Sequence, residues 1–330
     1  MRGLIKTSVA AAALALVSTA AQAETISLSG ASQFDESHVY TMTMRKFEEL
    51  VKEYYQGPDE IEFTLHLNSE LGLEKDYFAY MSQGISVDYA IVAPSHMSTF
   101  SPKAPLMDMP FLFRDLDHWN AVLDGDALQP IADDILEKAD VHLIGYAGGG
   151  TRNLIVNKPV ASMDDIQDVP IRVMGAPIQT RIFEAIKMAP TVIAYSEVYN
   201  AIQTGVIEAA ENEAAGVEQM KFYEVGPHIG LTQHAITVRP LSFSGKTLAR
   251  LPEDLQAAIF KAGKEAGAYG REIESSQDSE KLAAMEEKGW LTTHEFGDRA
   301  SLLELAEPVK QSYAEELGAT DVLNAVNAVE

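Results

Sequence analysis

Strand and helix signals alternate along this 330-residue chain, stop at Gly148-Gly149-Gly150, and then start again. Ile26-Ser27-Leu28-Ser29 alternates as a strand, and Val39 to Tyr55 reads as a helix stopped by Gly57-Pro58. Ile61, Phe63, Leu65 and Leu67 alternate with polar residues, the period of a half-buried strand. Glu74 to Gln83 reads as a helix with Gly84 at its C′ position, and Val87 to Ala93 as a strand. Pro94, Pro102, Pro105 and Pro110 mark an irregular stretch, followed by a helix over Asp126–Ala139 and a strand over Val141–Ala147. Beyond the glycines, Leu154–Val156, Ile171–Met174 and Ala235–Val238 read as strands, Ile178–Met188 and Glu197–Thr204 as helices. Such a rhythm predicts parallel strands covered by helices. Its restart without a flexible linker predicts two α/β lobes joined by hinge strands near Tyr146–Thr151 and Ile236–Pro240.

A longer helix follows. Pro252 suits N1, with Glu253 and Asp254 at the positive end of the dipole. Leu255, Ile259, Ala262, Ala266, Tyr269 and Ile273 then form an unbroken helical stripe. Continued towards Gly289, the helix is ~50 Å long at 1.5 Å per residue, enough to brace both lobes. Gly263, Gly267 and Gly270 are candidate bending points. The reading is a two-lobed α/β fold: lobe I is 24–148 plus 239–275, and lobe II is 149–238 plus 276–330.

Residues 1–23 stand apart. Arg2 and Lys6 precede the apolar run Val9–Val17 and an Ala21-Gln22-Ala23 cleavage site, which reads as a secretory signal peptide cut after Ala23. Its removal takes two basic residues and no acid, moving the net charge from −24 to −26. No later stretch is apolar enough to span a bilayer. A soluble periplasmic protein is expected, a monomer without direct membrane insertion. So acidic a chain lacks the basic footprint of a nucleic-acid partner. Zero cysteine excludes disulfides, thiolate metal sites and cysteine nucleophiles.

Catalytic patterns fail. Gly245-Lys246-Thr247 resembles the end of a P-loop, but Pro240 occupies the upstream glycine position; the glycine run from Gly148 meets Asn153 where a dinucleotide fingerprint needs its last glycine. Neither G-x-S-x-G nor H-E-x-x-H occurs, and the eight histidines lack ligand spacing. His96 and His38 are cleft candidates, although an ordinary hydrogen-bonded or surface role accounts for either. No catalytic residue, metal or cofactor is assigned.

Arginine placement is more telling. Arg152 follows the triple glycine, Arg172 sits within Ile171-Arg172-Val173, and Arg239 ends a strand. A guanidinium inside a buried strand is costly unless it meets an anion. Its planar fork pairs bidentately with a carboxylate, from a ligand or from one of the chain's 49 acids.

These arginines occur together with Ala194 through Gly205 (AYSEVYNAIQTG), Ala210-Glu211-Asn212 and Lys221-Phe222-Tyr223-Glu224-Val225. The set resembles the core pattern of the solute receptors of tripartite ATP-independent periplasmic (TRAP) transporters. The likeness extends through Gly30–Phe47, Leu71–Lys75, Pro110–Phe113 and Leu251–Asp254, most of the chain in order. It implies two lobes that close on a small organic acid and deliver it to integral-membrane TRAP transporter subunits. It further implies that Arg172 clamps the carboxylate, with Arg152, Asn212, Tyr195 and Arg239 in the pocket. Glu74 falls where sugar-acid receptors meet hydroxyls, and Ser32, Gln33 and His38 supply N-terminal contacts. Two departures stand out: Val173-Met174-Gly175 after the clamp, where the family often has R-V-P then Asn, and Glu213 after Asn212, where it often has Pro. A polar pocket favours a hydroxylated acid such as a hexuronate or aldonate. A C4-dicarboxylate receptor, with Arg239 on the second carboxylate, is the alternative within the family. An exported enzyme acting on sugar acids is the alternative outside it.

Overall fold

The computed structural model describes residues 24–330; the signal-peptide reading falls on residues 1–23, outside the described residues. The strands are β1 (Thr25–Ala31), β2 (Glu60–His66), β3 (Tyr89–Ile91), β4 (Val141–Val156), β5 (Pro170–Val173), β6 (Ala189–Val192), β7 (Ala209–Asn212), β8 (His228–Ser244) and β9 (Thr292–Glu295). Among the described residues they form one sheet in the order β2-β1-β3-β8-β4-β7-β5-β6, with β9 beside β8. Parallel pairs lie at either end, β1 with β2 and β3, β5 with β6 and β7. Between them β4 and β8 run antiparallel. At 16 and 17 residues these two are far longer than ordinary strands. One half of each pairs in the first lobe, the other half in the second.

The sequence reading divided β4 at the triple glycine, but the strand is continuous. Its register against β8 slips from Gly148 opposite Val238 to Thr151 opposite Ile236, so Gly149 and Gly150 share the single partner Thr237. Gly148 and Gly149 adopt φ of +114° and +117°, a region that side chains with a Cβ rarely enter. The glycines make a bulge, not a break. Likewise Ala235–Val238 is only the middle of β8. Thr232, Gln233 and His234 blur its apolar alternation, and they lie in the register shift between Ala235 opposite Arg152 and Gly230 opposite Leu154.

The long helix spans Glu253–Glu287, 35 residues, with Pro252 at the N-cap instead of N1. Its glycines are contact points and not bends. A Cβ on Gly263 would lie 2.7 Å from the Ile144 carbonyl oxygen, and one on Gly267 2.6 Å from the Tyr146 nitrogen. Helix backbone therefore rests directly on β4 backbone. Gly→Ala inside a helix ordinarily stabilises by about 0.5–1 kcal/mol. Here Gly267→Ala is expected to destabilise by about 1–3 kcal/mol, since the colliding atoms are main chain and cannot swing aside. A lowered urea midpoint with unchanged slope is the expected signature.

The C-terminal segment, placed in lobe II by the sequence reading, touches elements of both lobes. Helix Arg299–Glu316 does pack on that lobe, through Arg181 to Glu316 and through Asp298, which accepts from the Met163 amide. The next helix, Thr320–Ala328, crosses to the first. His118 Nε2 meets the Val326 carbonyl at 2.9 Å, and Arg114 donates to the Asn327 and Val329 carbonyls. Val322, Leu323 and Val326 close over Leu106, Met109, Leu112, Leu128 and Ile131. His118 belongs to a helix, Leu116–Asp124, absent from the sequence reading; it is capped by Asp115, whose side chain accepts from the His118 amide.

Candidate functional site

The lobes meet where β4, β5, β7 and β8 bring Arg152, Arg172, Asn212 and Arg239 together. Helix Glu74–Gln83 presents Glu74 from its first turn, and the loop after β1 presents Gln33 and Phe34. A cavity of about 740 Å³ is lined by Gln33, Lys75, Tyr80, His96, Arg172 and Tyr195 among others. A narrow recess shares Gln33, His96, Arg172 and Tyr195 with it and adds Phe34, Glu74, Arg152, Met174, Asn212 and Arg239.

The three arginines are all buried, at 5%, 3% and 6% exposure for Arg152, Arg172 and Arg239, but they differ in company. Every N–H of Arg152 has a protein acceptor. Nε donates to Glu211 Oε2 at 2.5 Å, Nη1 to Asn212 Oδ1 at 2.8 Å and to the Glu213 carboxylate, and Nη2 to the Glu211 carbonyl and Oε1 at 2.8 and 2.9 Å. Burial works against the charge on Arg152, yet Glu211 and Glu213 more than reverse it and hold its pKa above the ordinary value. Arg239 donates Nη1 to both Glu74 oxygens at 3.3 Å and Nε to the Tyr40 hydroxyl at 3.1 Å. Burial lifts the Glu74 carboxyl above its ordinary value, partly offset by Arg239 and by the Ala93 amide, which donates to it at 2.6 Å.

Arg172 has neither arrangement. Its Nε donates to the Ile193 carbonyl at 3.0 Å, and its guanidinium lies 5.6 Å from the Tyr195 ring centroid. Among the described residues no carboxylate forms a salt bridge with it. Burial pulls its pKa down to about 10. A buried guanidinium is costly unless it meets an anion, and this one borders the cavity without a carboxylate partner among the described residues.

Polar side chains line the recess with it. Asn212 Nδ2 donates to the Tyr195 hydroxyl at 2.8 Å, leaving the tyrosine proton to point elsewhere. Gln33 Nε2 donates to Glu74 at 3.1 Å and lines both cavity and recess. His96 also lines both. Burial and then Arg172 hold its pKa down at about 3, so the ring is neutral. It sits on a single turn, Pro94–Met97, with no periodicity to mark its direction, so of the two cleft candidates in the sequence the fold puts His96 in the recess.

His38 is elsewhere. It stacks on the far side of Phe34, ring centroids 4.0 Å apart, and its Nδ1 accepts from the Tyr40 amide to cap helix Val39–Tyr54. It borders a separate cavity of about 260 Å³ with Asp35, Glu218 and Lys281. The capping bond engages Nδ1 only, and Nε2 is buried without a partner among the described residues.

Two α/β lobes bridged by long strands, with an uncompensated arginine facing the space between them, define a solute-binding protein. The family model described as bacterial extracellular solute-binding protein, family 7, matches residues 30–316. The chain belongs to this family, as a solute receptor of the TRAP type; the family comprises binding proteins and not enzymes, and it is periplasmic. It is 58% identical to a TRAP periplasmic solute-binding protein from Sulfitobacter sp. NAS-14.1 solved with bound α-D-taluronate, with a TM-score of 0.89 over 91% of this chain and 97% of that one. A second Sulfitobacter sp. NAS-14.1 receptor, with bound β-D-galacturonate, is 26% identical with a TM-score of 0.85, covering 92% and 100%. The C4-dicarboxylate-binding periplasmic protein of Rhodobacter capsulatus is 27% identical over 86% of this chain and 84% of that protein. No helix of the described residues is long and apolar enough to cross a membrane.

Proposed function

We propose that this receptor captures a sugar acid with one carboxylate, a hexuronate or aldonate, and that Arg172 clamps that carboxylate. Arg172 carries the reading, because it borders the cavity without a carboxylate partner while Arg152 and Arg239 are already neutralised by protein groups. A C4-dicarboxylate needs a second cation. Arg239 is the group suited to that, but Glu74 occupies it and would repel a second carboxylate. Glu74, Gln33, neutral His96, Asn212 and the Tyr195 hydroxyl instead suit a row of ligand hydroxyls. The uronates held by the two Sulfitobacter receptors support the same class.

In this reading Arg152 shapes the recess by fixing Asn212. Lobe I comprises 24–148 plus 239–275 and lobe II 149–238 plus 276–330, with the terminal helix of lobe II packed against Leu106, Leu128 and Ile131 of lobe I. The lobes close about the bulge at Gly148–Gly150 and the facing Ile236–Pro240. The leader is cut after Ala23, and the mature protein works as a periplasmic monomer that docks on integral-membrane transporter subunits.

The test is a panel of D-galacturonate, D-gluconate, succinate and malate followed by thermal melting and by product analysis. A true ligand at a hundred times its Kd adds about 2.7 kcal/mol of stability, a clear rise in Tm. Stabilisation by the sugar acids without turnover is expected. A larger shift with succinate would reject the sugar-acid reading in favour of a dicarboxylate receptor, and conversion of galacturonate would reveal an enzyme.

A further inference from the structure

Glu274, on the long helix, is 3% exposed, and no salt bridge pairs it among the described residues. Its Oε2 has no hydrogen-bond partner. Its Oε1 accepts twice: from the Tyr40 hydroxyl at 3.0 Å and from Thr237 Oγ1 at 3.3 Å. Tyr40 belongs to the first-lobe helix Val39–Tyr54, and its hydroxyl accepts from Arg239, which holds Glu74 in the ligand recess. Thr237 is the one residue of β8 that faces the bulge in β4, and its Oγ1 accepts from the amides of Gly149 and Gly150 at 3.0 and 3.1 Å.

These bonds form a directed chain. Arg239 donates to Tyr40, Tyr40 to Glu274, Thr237 to Glu274, and the two bulge amides to Thr237. The bulge takes Gly149 and Gly150 out of the ladder, so their amides depend on that threonine hydroxyl. The hydroxyl can turn its lone pairs to both amides because its own proton is committed to Glu274. Burial lifts the Glu274 carboxyl well above its ordinary value, and Oε1 accepts both bonds whether or not Oε2 carries a proton.

Resting on the hinge reading above, we infer that Glu274 is a positioning residue that couples the ligand recess to the glycine bulge, so that a ligand disturbing Glu74 or Arg239 changes how firmly the hinge amides are held. The glycines supply the freedom to bend, and Glu274 sets when it is used. A Cβ on Gly150 would lie 2.5 Å from Glu274 Oε1, so the bulge cannot shift towards the long helix without displacing this carboxylate.

Amide exchange of the unliganded protein, followed at Gly149 and Gly150 by NMR, tests the coupling without any ligand. Thr237→Val is expected to speed both amides about tenfold or more, and Thr237→Ser to restore them. Tyr40→Phe removes only an oxygen that touches neither glycine, and is expected to speed the same two amides several-fold while circular dichroism stays unchanged. Glu274→Leu, which removes both acceptor oxygens, should do likewise; if that variant fails to fold, Tyr40→Phe decides alone. Exchange in Tyr40→Phe within twofold of wild type would overturn the coupling and leave Thr237 a local brace. Calorimetry with D-galacturonate on wild type reports separately on the sugar-acid reading, so failure of one is not mistaken for failure of the other.

Discussion

Arg172→Ala is expected to weaken sugar-acid binding a hundredfold or more while leaving the unliganded protein at least as stable as wild type. The two halves of this result have one cause. In the complex, the clamp exchanges a charge-assisted fork for nothing, and the ligand carboxylate stays buried without a partner; breaking such a pair costs on the order of 3–5 kcal/mol. In the unliganded protein the same guanidinium is buried with, among the described residues, only the Ile193 carbonyl as a hydrogen-bond acceptor, and burial already draws its pKa down to about 10. Removing it relieves that burden. Arg172→Lys should recover little binding, because a point charge cannot reproduce two parallel N–H donors. Titration calorimetry paired with thermal melts checks both halves. Alanine-variant binding within about fivefold of wild type would remove Arg172 from the clamp role.

Arg152→Met is expected to do the reverse: destabilise the fold severely, by about 3–5 kcal/mol, because it strands Glu211 and Glu213 in the interior. Their exposures are 3% and 1%, so no water replaces the lost guanidinium. The pH dependence carries a definite sign. Burial alone would raise the Glu211 carboxyl, but Arg152 and then His234 outweigh it and hold it well below 4.5. A carboxyl depressed in the folded state contributes stability above its unfolded value and loses it as the pH falls, so wild type should weaken progressively below pH 4.5. Asp108 and Asp278 act oppositely. Burial raises each to about 6, so the folded state takes up their protons first and gains stability as the pH drops through 6. Urea unfolding across pH 4 to 8 should therefore place the maximum on the acid side of neutrality. In Arg152→Met the loss below pH 4.5 should shrink, and an unchanged acid limb would show that Glu211 draws no stability from this arginine.

The local elements were legible in the residues. Helix Val39–Tyr54 and helix Glu74–Gln83 with its left-handed Gly84 follow the reading closely, because periodicity and capping act within a few residues. The burial of Arg172 could be read from its isoleucine and valine neighbours, and the long helix from its stripe. What no local pattern carried was the company each arginine keeps. Glu211 and Glu213 lie 59 and 61 residues from Arg152, and Glu74 lies 165 from Arg239. Only the juxtaposition of β4 with β7, and of β8 with the start of helix Glu74–Gln83, decided that two guanidiniums are spent inside the protein and one is not. The same holds for the glycines at 148–150 and along the long helix, which composition marks as weak and packing turns into a bulge and a close backbone contact. Helix Thr320–Ala328 packs on the first lobe for the same reason, since its apolar face fits a cleft built some 200 residues earlier. Short-range order follows from periods and caps that a chain carries with it. The choice between a structural and a ligand-seeking charge depends on which carboxylates the folded strands bring within hydrogen-bonding reach, and that is a property of the tertiary structure alone.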